Sequence, residues 1–269
     1  MIDTQQQSFR AGLIQMCSGR QILDNLTEAD RLIREAAAHG AVYIQTPENT
    51  ALLELDPKIT RREAQSFDDS SILTKFQDLA RELNVCLHIG SLAIRLDGED
   101  RLVNRSCLIS PRGDILAHYD KIHMFDVDLA GGESYRESKH YIPGQLSVVA
   151  DLSVGLTPAP KLGFSICYDL RFAALFRSLA KAGAQIIAVP AAFTKQTGEA
   201  HWHVLLRARA IETGCFILAA AQGGAHENGR STYGHSLIVS PWGEVIAEAK
   251  NAEPQIIVAD IDLSKVAVA

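Results

Sequence analysis

The stretch GFSICYDLRF (residues 163–172) joins a short apolar run to a cysteine and then to the start of a helical pattern. The apolar run predicts a buried strand at Leu162–Ile166 that ends at Cys167, and a helix is predicted soon afterwards at Ala173–Ala182. A cysteine at a strand-to-helix turn has the geometry of a nucleophile elbow. The positive potential at a helix N-terminus is expected to lower the pKa of its thiol. Taken alone, the pattern fits a packed cysteine equally well.

Strands and helices alternate on both sides of this stretch. The helical spacing of apolar residues predicts helices at Leu23–His39, Ser71–Leu83 and Glu199–Thr213. Further strands are predicted at Arg10–Cys17, Ala41–Gln45, Val85–Ile94, Leu102–Ser110, Ile115–Tyr119, Gln185–Val189, Phe216–Ala221, Ser236–Ser240, Val245–Ala249 and Gln255–Asp262. These strands are apolar throughout, which indicates burial on both faces. The pattern predicts an α/β fold of mixed sheets, or a two-sheet sandwich, covered by helices.

Composition narrows the class of protein. The 269 residues contain no repeat, low-complexity segment or linker, so we expect a single domain over residues 1–269. The net charge of −6 argues against nucleic acid and anionic membranes as partners. Five scattered cysteines without a CxxC pair indicate neither a disulfide framework nor a zinc site. With a polar N-terminus and no long apolar run, the sequence predicts a cytoplasmic protein that is not inserted in a membrane.

Two further segments place a charged residue just past the end of a predicted strand, the edge that ligand sites in α/β sheets favour. In QTPEN (45–49) a proline fixes the exit of the chain before Glu48. In YDKIHMFD (119–126) Lys121 lies among apolar and aromatic neighbours, where a buried ammonium needs a carboxylate partner. Each segment alone is better explained by a solvated loop glutamate or by a lysine that extends to water.

Together, the three segments resemble the nitrilase superfamily, the carbon–nitrogen hydrolases. Glu48, Lys121 and Cys167 occur in that order in three matching frames, and the resemblance extends over about Phe9 to Leu263. It implies a four-layer α-β-β-α sandwich and an enzyme that needs no metal or organic cofactor. It also implies a homodimer, for which the helix Glu199–Thr213 and the C-terminal segment are the candidate interface.

The resemblance also implies a role for each site residue. Cys167 attacks the carbonyl of a linear amide, and Glu48 acts as general base and then as general acid. Lys121 and the backbone N–H of Tyr168 hold the oxyanion. Glu137, in YRES (135–138), is the supporting second glutamate beside the lysine. Burial is expected to raise the pKa of Glu48 towards neutrality.

The segments FTKQTGEAHW (193–202), LLRARAIE (205–212) and AAAQ through YGHS (219–236) resemble the branch that contains deaminated glutathione amidase. We therefore expect a small carboxylated amide, cleaved through a cysteine thioester to an acid and ammonia. Arg171 is a candidate cation for the substrate, but a structural ion pair with Asp169 or another acid is the favoured explanation for this residue. The helix spacing also permits a pair between Arg209 and Glu212. The predicted substrate-binding residues are Phe193, Thr194, Thr197, His201, Trp202 and Arg171.

Other functions stay open or fit less well. An ω-amidase acting on α-ketoglutaramate, an N-carbamoyl amino acid hydrolase and a nitrilase could share the same three residues. A metal site is not predicted: His201 and His203 point about 200° apart on a helix, and His118 and His123 lack a familiar ligand spacing. The intact glutamate, lysine and cysteine argue against a pseudoenzyme that serves as an interaction module. A Cys–His dyad has no supporting sequence frame at His123, His140, His201 or His235.

Overall fold

Two β-sheets lie face to face, and helices cover the outer side of each. The computed structural model describes residues 7–128 and 134–269. Within these ranges the α-helices are α1 (Ile22–Ala38), α2 (Pro57–Glu63), α3 (Ser71–Leu83), α4 (Ala173–Lys181) and α5 (Lys195–Thr213). The strands are β1 (Ser8–Gln15), β2 (Tyr43–Gln45), β3 (Gln65–Ser66), β4 (Cys86–Arg95), β5 (Leu102–Ile109), β6 (Ile115–Asp120), β7 (Asp126–Asp128), β8 (Ser134–Arg136), β9 (Val149–Asp151), β10 (Lys161–Phe164), β11 (Ile186–Ala188), β12 (Phe216–Ala219), β13 (Gly223–Ala225), β14 (Ser231–Tyr233), β15 (Leu237–Val239), β16 (Val245–Glu248) and β17 (Gln255–Asp262).

Both sheets have a parallel centre and antiparallel edges. The first has the order β17-β1-β2-β4-β5-β6 with β3 beside β4, and β1, β2 and β4 run parallel. The second has the order β16-β15-β12-β11-β10-β9, and β10, β11 and β12 run parallel. Parallel neighbours need a crossover connection, which α1 and α3 supply in the first sheet and α4 and α5 in the second.

Two apolar cores explain why the strands read as continuous apolar runs. Successive residues of β1 enter different cores: Leu13 packs between the two sheets, whereas Ile14 packs with α1 and α3 on the outer side of the first sheet. The core between the sheets continues through the second sheet to Trp202 and Leu206 of α5. The four-layer α-β-β-α sandwich expected from the sequence is confirmed.

Some boundaries differ from those predicted. The helix expected at Glu199–Thr213 begins four residues earlier at Lys195, because Thr194 caps it by accepting a hydrogen bond from the Thr197 N–H. The strand before Cys167 ends at Phe164. The short helix α2 was not predicted; the Asp56 carboxylate caps it by accepting from the Lys58 N–H at 2.9 Å. Among the described residues, no helix is long and apolar enough to cross a membrane.

Candidate active site

Cys167 lies at the turn between β10 and α4, as the first residue of a 3-10 turn over Cys167–Arg171. Its φ angle is +50°, in the left-handed region that non-glycine residues seldom adopt. The backbone N–H of Cys167 donates to the Pro190 carbonyl at 2.9 Å, which ties the turn to the end of β11. The structure thus places this cysteine at a strained strand-to-helix turn, with 7% of the residue exposed.

Glu48 follows the end of β2 and lies between the ammonium of Lys121 and the thiol of Cys167. Its Oε1 accepts from Lys121 Nζ at 2.9 Å, and its Oε2 accepts from the Ala192 N–H at 2.9 Å. The thiol of Cys167 also donates to this carboxylate. Glu48 and Lys121 are 3% and 2% exposed, so their charges interact in a nearly dry environment.

Glu137 completes the charged group around Lys121. Its Oε1 and Oε2 accept from Lys121 Nζ at 3.1 and 2.9 Å, and Oε2 also accepts from the Phe125 N–H at 2.6 Å. Asn104, on β5, donates to Glu48 at 3.0 Å and to Glu137 at 3.3 Å. Asn104 was not among the predicted site residues because it lies inside a predicted strand, although a polar residue in a buried run indicates contact with other polar groups.

The ionisation of this site is opposite to that expected from the sequence. Burial favours a raised pKa for Glu48, but the charge of Lys121 and the hydrogen bonds from Cys167 and Lys121 together hold that pKa below its usual value. Burial and the negative charge of Glu48 raise the pKa of the Cys167 thiol well above its usual value, although Lys121 opposes them. The resting pair is therefore a neutral thiol beside a carboxylate, and the two predicted pKa directions were wrong.

A cavity of about 570 Å³ opens above the thiol. This volume is ample for a small linear molecule. Its wall combines charged side chains of both signs with aromatic ones. The residues that line it include Glu48, Asn104, Lys121, Phe125, Tyr135, Arg136, Glu137, Lys139, His140, Tyr141, Cys167, Tyr168, Arg171, Phe193, Thr194, Thr197 and Arg230.

Comparison with known proteins agrees with this geometry. Residues 10–269 match the sequence profile described as carbon-nitrogen hydrolase. The chain belongs to the carbon–nitrogen hydrolase family. A protein of Yersinia enterocolitica named deaminated glutathione amidase is 44% identical over 242 residues, which cover 89% of this chain and 82% of that protein. The resemblance to the nitrilase superfamily is thereby confirmed, and this chain is a hydrolase that acts on carbon–nitrogen bonds.

Two solved structures share the fold. The NitFhit protein of C. elegans is 34% identical, with a TM-score of 0.86; the match covers 97% of this chain and 62% of that one. Saccharomyces cerevisiae Nit3, a member of branch 10 of the nitrilase superfamily, is 26% identical with a TM-score of 0.86, and the match covers 98% of this chain and 93% of that one. The chain thus spans less than two thirds of the C. elegans protein but nearly all of the yeast protein.

The predicted substrate residues of this carbon–nitrogen hydrolase divide into two groups. Phe193, Thr194 and Thr197 line the cavity, as does Tyr168, whose backbone N–H directly follows Cys167. Trp202 was wrongly placed at the cavity: only 1% of it is exposed, and its indole packs on Phe193 with ring centroids 4.9 Å apart. It belongs to the core because it follows the first turn of α5 on the side that faces the second sheet.

Arg171 and His201 contact each other at the cavity mouth. Arg171 lines the cavity, and its Nη2 lies 3.0 Å from His201 Nδ1. His201 is exposed and is not one of the lining residues, so it reaches the site through Arg171 alone. The ion pair weighed between Arg171 and Asp169 is not found among the described contacts.

The Asp169 carboxylate is instead occupied by other donors. It accepts hydrogen bonds from Tyr119 Oη at 2.7 Å, from Ile166 N at 2.8 Å, and from both the backbone N–H and Nδ1 of His123 at 3.0 and 2.7 Å. Asp169 is fully buried. It therefore joins the segment that carries Lys121 to the turn that carries Cys167.

Arg230 is a cavity residue that the sequence analysis missed. It follows the β13 strand, and its Nη2 donates to the Ala192 carbonyl. Its guanidinium lies 5.4 Å from the centroid of the Tyr135 ring. Its Nε is buried and has no hydrogen-bond partner among the described residues. The arginine sits in a polar loop, HENGRS (226–231), which gives no pattern that distinguishes it from a solvated residue.

Proposed function

We propose that the chain is a cysteine amidase whose reaction is carried by Glu48, Lys121 and Cys167. The observation that supports this proposal is the Glu48 carboxylate, which contacts the thiol and the ammonium at once in a buried site. When an amide enters, the Cys167 sulfur attacks its carbonyl carbon as the thiol proton moves to Glu48. Because the resting thiol is neutral, proton transfer and attack are coupled.

The negative charge that develops on the carbonyl oxygen needs fixed donors. Lys121 is buried and charged, since Glu137 and Glu48 keep its pKa well above the usual value although burial acts to lower it. We assign the oxyanion to the Lys121 ammonium and to the backbone N–H of Tyr168. Donors held in place before the reaction stabilise this charge without reorganisation. Glu137 and Asn104 then act as positioning residues for Lys121 and Glu48.

Collapse of the tetrahedral intermediate breaks the carbon–nitrogen bond and leaves a thioester on Cys167. Glu48 returns its proton to the departing nitrogen, which leaves as ammonia from a primary amide or as an amine from a substituted one. Glu48 is then a free carboxylate and accepts a proton from the water that attacks the thioester. The second tetrahedral intermediate releases the acid and restores the thiol.

We propose deaminated glutathione, a substituted amide with terminal carboxylates, as the substrate. The relative from Yersinia enterocolitica carries that activity in its name. The cations on the cavity wall support an anionic substrate: Arg171 at the mouth, and Arg230, whose buried Nε has no partner among the described residues. Arginine pairs with carboxylates through two parallel hydrogen bonds. α-Ketoglutaramate, an anionic primary amide, is the main competing substrate.

The choice between these substrates is tested by comparing kcat/KM on the purified protein. Deaminated glutathione is expected to give the higher value, with the acid and amine products identified by mass spectrometry. An N-carbamoyl amino acid and an aliphatic nitrile are assayed alongside, and Cys167→Ala serves as the blank. An equal or higher kcat/KM on α-ketoglutaramate would overturn the proposal that deaminated glutathione is the substrate. Turnover by folded Cys167→Ala would overturn the mechanism.

We also propose a homodimer that forms through the outer face of α5. Val204 and Ile211 lie seven residues apart on this face and are 68% and 59% exposed. Trp242, 75% exposed, is on the adjacent turn, where Gly243 abuts Ile211. The C-terminal residue Ala269 lies beside Gly214 at the end of the same helix. Light scattering is expected to show a dimer for the wild type and a monomer for Ile211→Asp; a monomeric wild type would contradict the proposal.

A cytoplasmic location is proposed as well. Supporting it, the five cysteines are all unpaired, which suits a compartment where thiols stay reduced. Cell fractionation with an antibody against the chain is expected to find it in the cytosolic fraction.

A further inference from the structure

Three side chains that could bind a metal meet outside the active site. His203 projects from α5, His235 from the loop before β15, and Glu248 from the end of β16. His203 Nε2 and His235 Nδ1 each lie 2.8 Å from Glu248 Oε1, and the three atoms all lie within 4.8 Å of one another. None of the three lines the cavity above Cys167. From these contacts we propose a divalent cation site for Zn²⁺ formed by His203, His235 and Glu248.

The donor set suits zinc. Two imidazole nitrogens and a carboxylate oxygen form one of the common three-residue zinc sets, in which solvent fills the fourth position. Zinc–ligand distances of about 2.0–2.1 Å in a tetrahedron place the ligand atoms about 3.3 Å apart. Each histidine nitrogen lies 2.8 Å from the carboxylate oxygen, so side-chain rotations that lengthen these two contacts by about 0.5 Å would make room for the ion. The side chains are 32%, 27% and 35% exposed, which leaves the fourth position open to water.

The surroundings hold His235 in place. His235 has φ +53°, and its carbonyl accepts a hydrogen bond from Trp202 Nε1 at 2.8 Å. Its ring stacks on Tyr233 with centroids 4.4 Å apart. The backbone and the neighbouring ring thus hold one ligand in place before an ion arrives.

No spacing of histidines and carboxylates along the sequence indicates this site. His201 and His203 cannot share an ion from one helix, whereas folding brings His203 to a histidine and a glutamate of distant segments. The proposal is independent of the amidase chemistry, since it uses none of the proposed catalytic residues.

The test is zinc binding by the purified full-length protein after chelator treatment and removal of the chelator. Titration with ZnCl₂ is followed by isothermal calorimetry and by metal analysis after dialysis. All proteins carry Cys167→Ala, so that zinc on the nucleophilic thiol is not counted. His203→Gln and Glu248→Gln remove single ligands. Glu244→Gln is the matched control, because it makes the same charge change at an exposed position of the same hairpin.

One zinc per chain is expected for the Cys167→Ala protein and for its Glu244→Gln variant. Binding is expected to weaken at least about 10-fold in His203→Gln and Glu248→Gln, since even indirect supports of a metal contribute this much. Zinc should also raise Tm in the two proteins with an intact site and leave it unchanged in the two others. Absence of saturable binding, or equal affinity in Glu248→Gln and Glu244→Gln, would overturn the site.

Discussion

The Glu48 carboxylate accepts a hydrogen bond from the Lys121 ammonium at 2.9 Å, and the side chains of both residues are almost completely buried. Opposite charges interact strongly where water is excluded, so the carboxylate stays ionised at rest. The same carboxylate accepts the hydrogen bond of the Cys167 thiol. Besides its proposed role at the oxyanion, the lysine therefore keeps the proposed base deprotonated before substrate arrives.

Replacing Glu48 with Gln is expected to lower kcat/KM by about 10²- to 10⁴-fold, because the amide cannot take the thiol proton. The side chain keeps its size, so the fold should remain. Steady-state kinetics on the preferred amide measures the loss. Glu99→Gln, an exposed glutamate in the β4–β5 loop, is the control and should keep full activity. A Glu48→Gln enzyme with a tenth of wild-type activity would rule out this base.

The same substitution is expected to lower the pKa of the Cys167 thiol. In the wild type, burial and the carboxylate raise that pKa well above 9.0, and only Lys121 and a backbone N–H oppose them. With Gln at position 48 the opposing groups remain and the negative charge is gone. Thiolate absorbance, measured against Cys167→Ala, should therefore appear at lower pH in the variant although turnover is lost. A thiol pKa that stays the same or rises would contradict this electrostatic account.

Sequence reasoning found the residues that directly follow strands and missed those that reach the site from elsewhere. Glu48 and Lys121 each come just after a strand of the first sheet, and Cys167 comes just after a strand of the second. A linear pattern can report such strand ends. Asn104 lies within a strand, and Arg230 approaches from a loop, so their positions depend on how two sheets pack. The pKa directions failed for a related reason, because a charge balance among buried groups depends on distances that no spacing gives.

Gly90, on β4, is expected to be essential for the position of Glu48. A Cβ at Gly90 would lie 2.2 Å from the Thr46 carbonyl oxygen and 2.4 Å from that of Pro47. Both contacts are backbone atoms of the segment that carries Glu48, so Gly90→Ala must displace it. A misplacement of about 1 Å can reduce activity about 10²-fold, and kcat should fall accordingly. The control is Gly12→Ala, on β1 of the same sheet. Its added methyl group would crowd α1 and not the backbone that carries Glu48, so the variant should have a lower Tm and an unchanged kcat. Equal kcat in the two variants would refute this role.

Arg209 and Glu212 form the pair that helix spacing permits, but they are expected to contribute unequally. Their atoms Nη1 and Oε1 are 3.0 Å apart. Arg209 is 6% exposed and donates twice to the Leu170 carbonyl, at 3.0 and 2.8 Å. The Glu212 side chain is 41% exposed. Arg209→Ala should cost about 1–3 kcal/mol, because it leaves a buried carbonyl without a donor, and Glu212→Ala less than about 1 kcal/mol. Urea denaturation measures both, and equal losses would contradict the assignment.

His88 is expected to make the fold sensitive to acid. It is fully buried between the sheets, and its two ring nitrogens lie 2.8 Å from Tyr43 Oη and 2.7 Å from Ser106 Oγ. Burial lowers its pKa from 6.5 to about 3. The unfolded chain therefore binds a proton at this histidine before the folded chain does. The stability that the fold has with a neutral His88 is fully present above pH 6.5. It is lost as the pH falls towards 3, at up to about 1.4 kcal/mol per pH unit.

The free energy of unfolding in urea, measured from pH 7 to pH 4.5, tests this linkage. In His88→Gln the amide can still form hydrogen bonds with both neighbours but does not titrate. The slope of the unfolding free energy against pH should therefore decrease by the equivalent of nearly one bound proton. His39→Gln, the same substitution at an exposed histidine at the end of α1, is the matched control. Chemical shifts of the His88 ring in the wild type give a second measure that does not depend on the variant. Because the ring should still be neutral at pH 5, a protonated His88 at that pH, or equal slopes in the two variants, would show that its burial does not control acid stability.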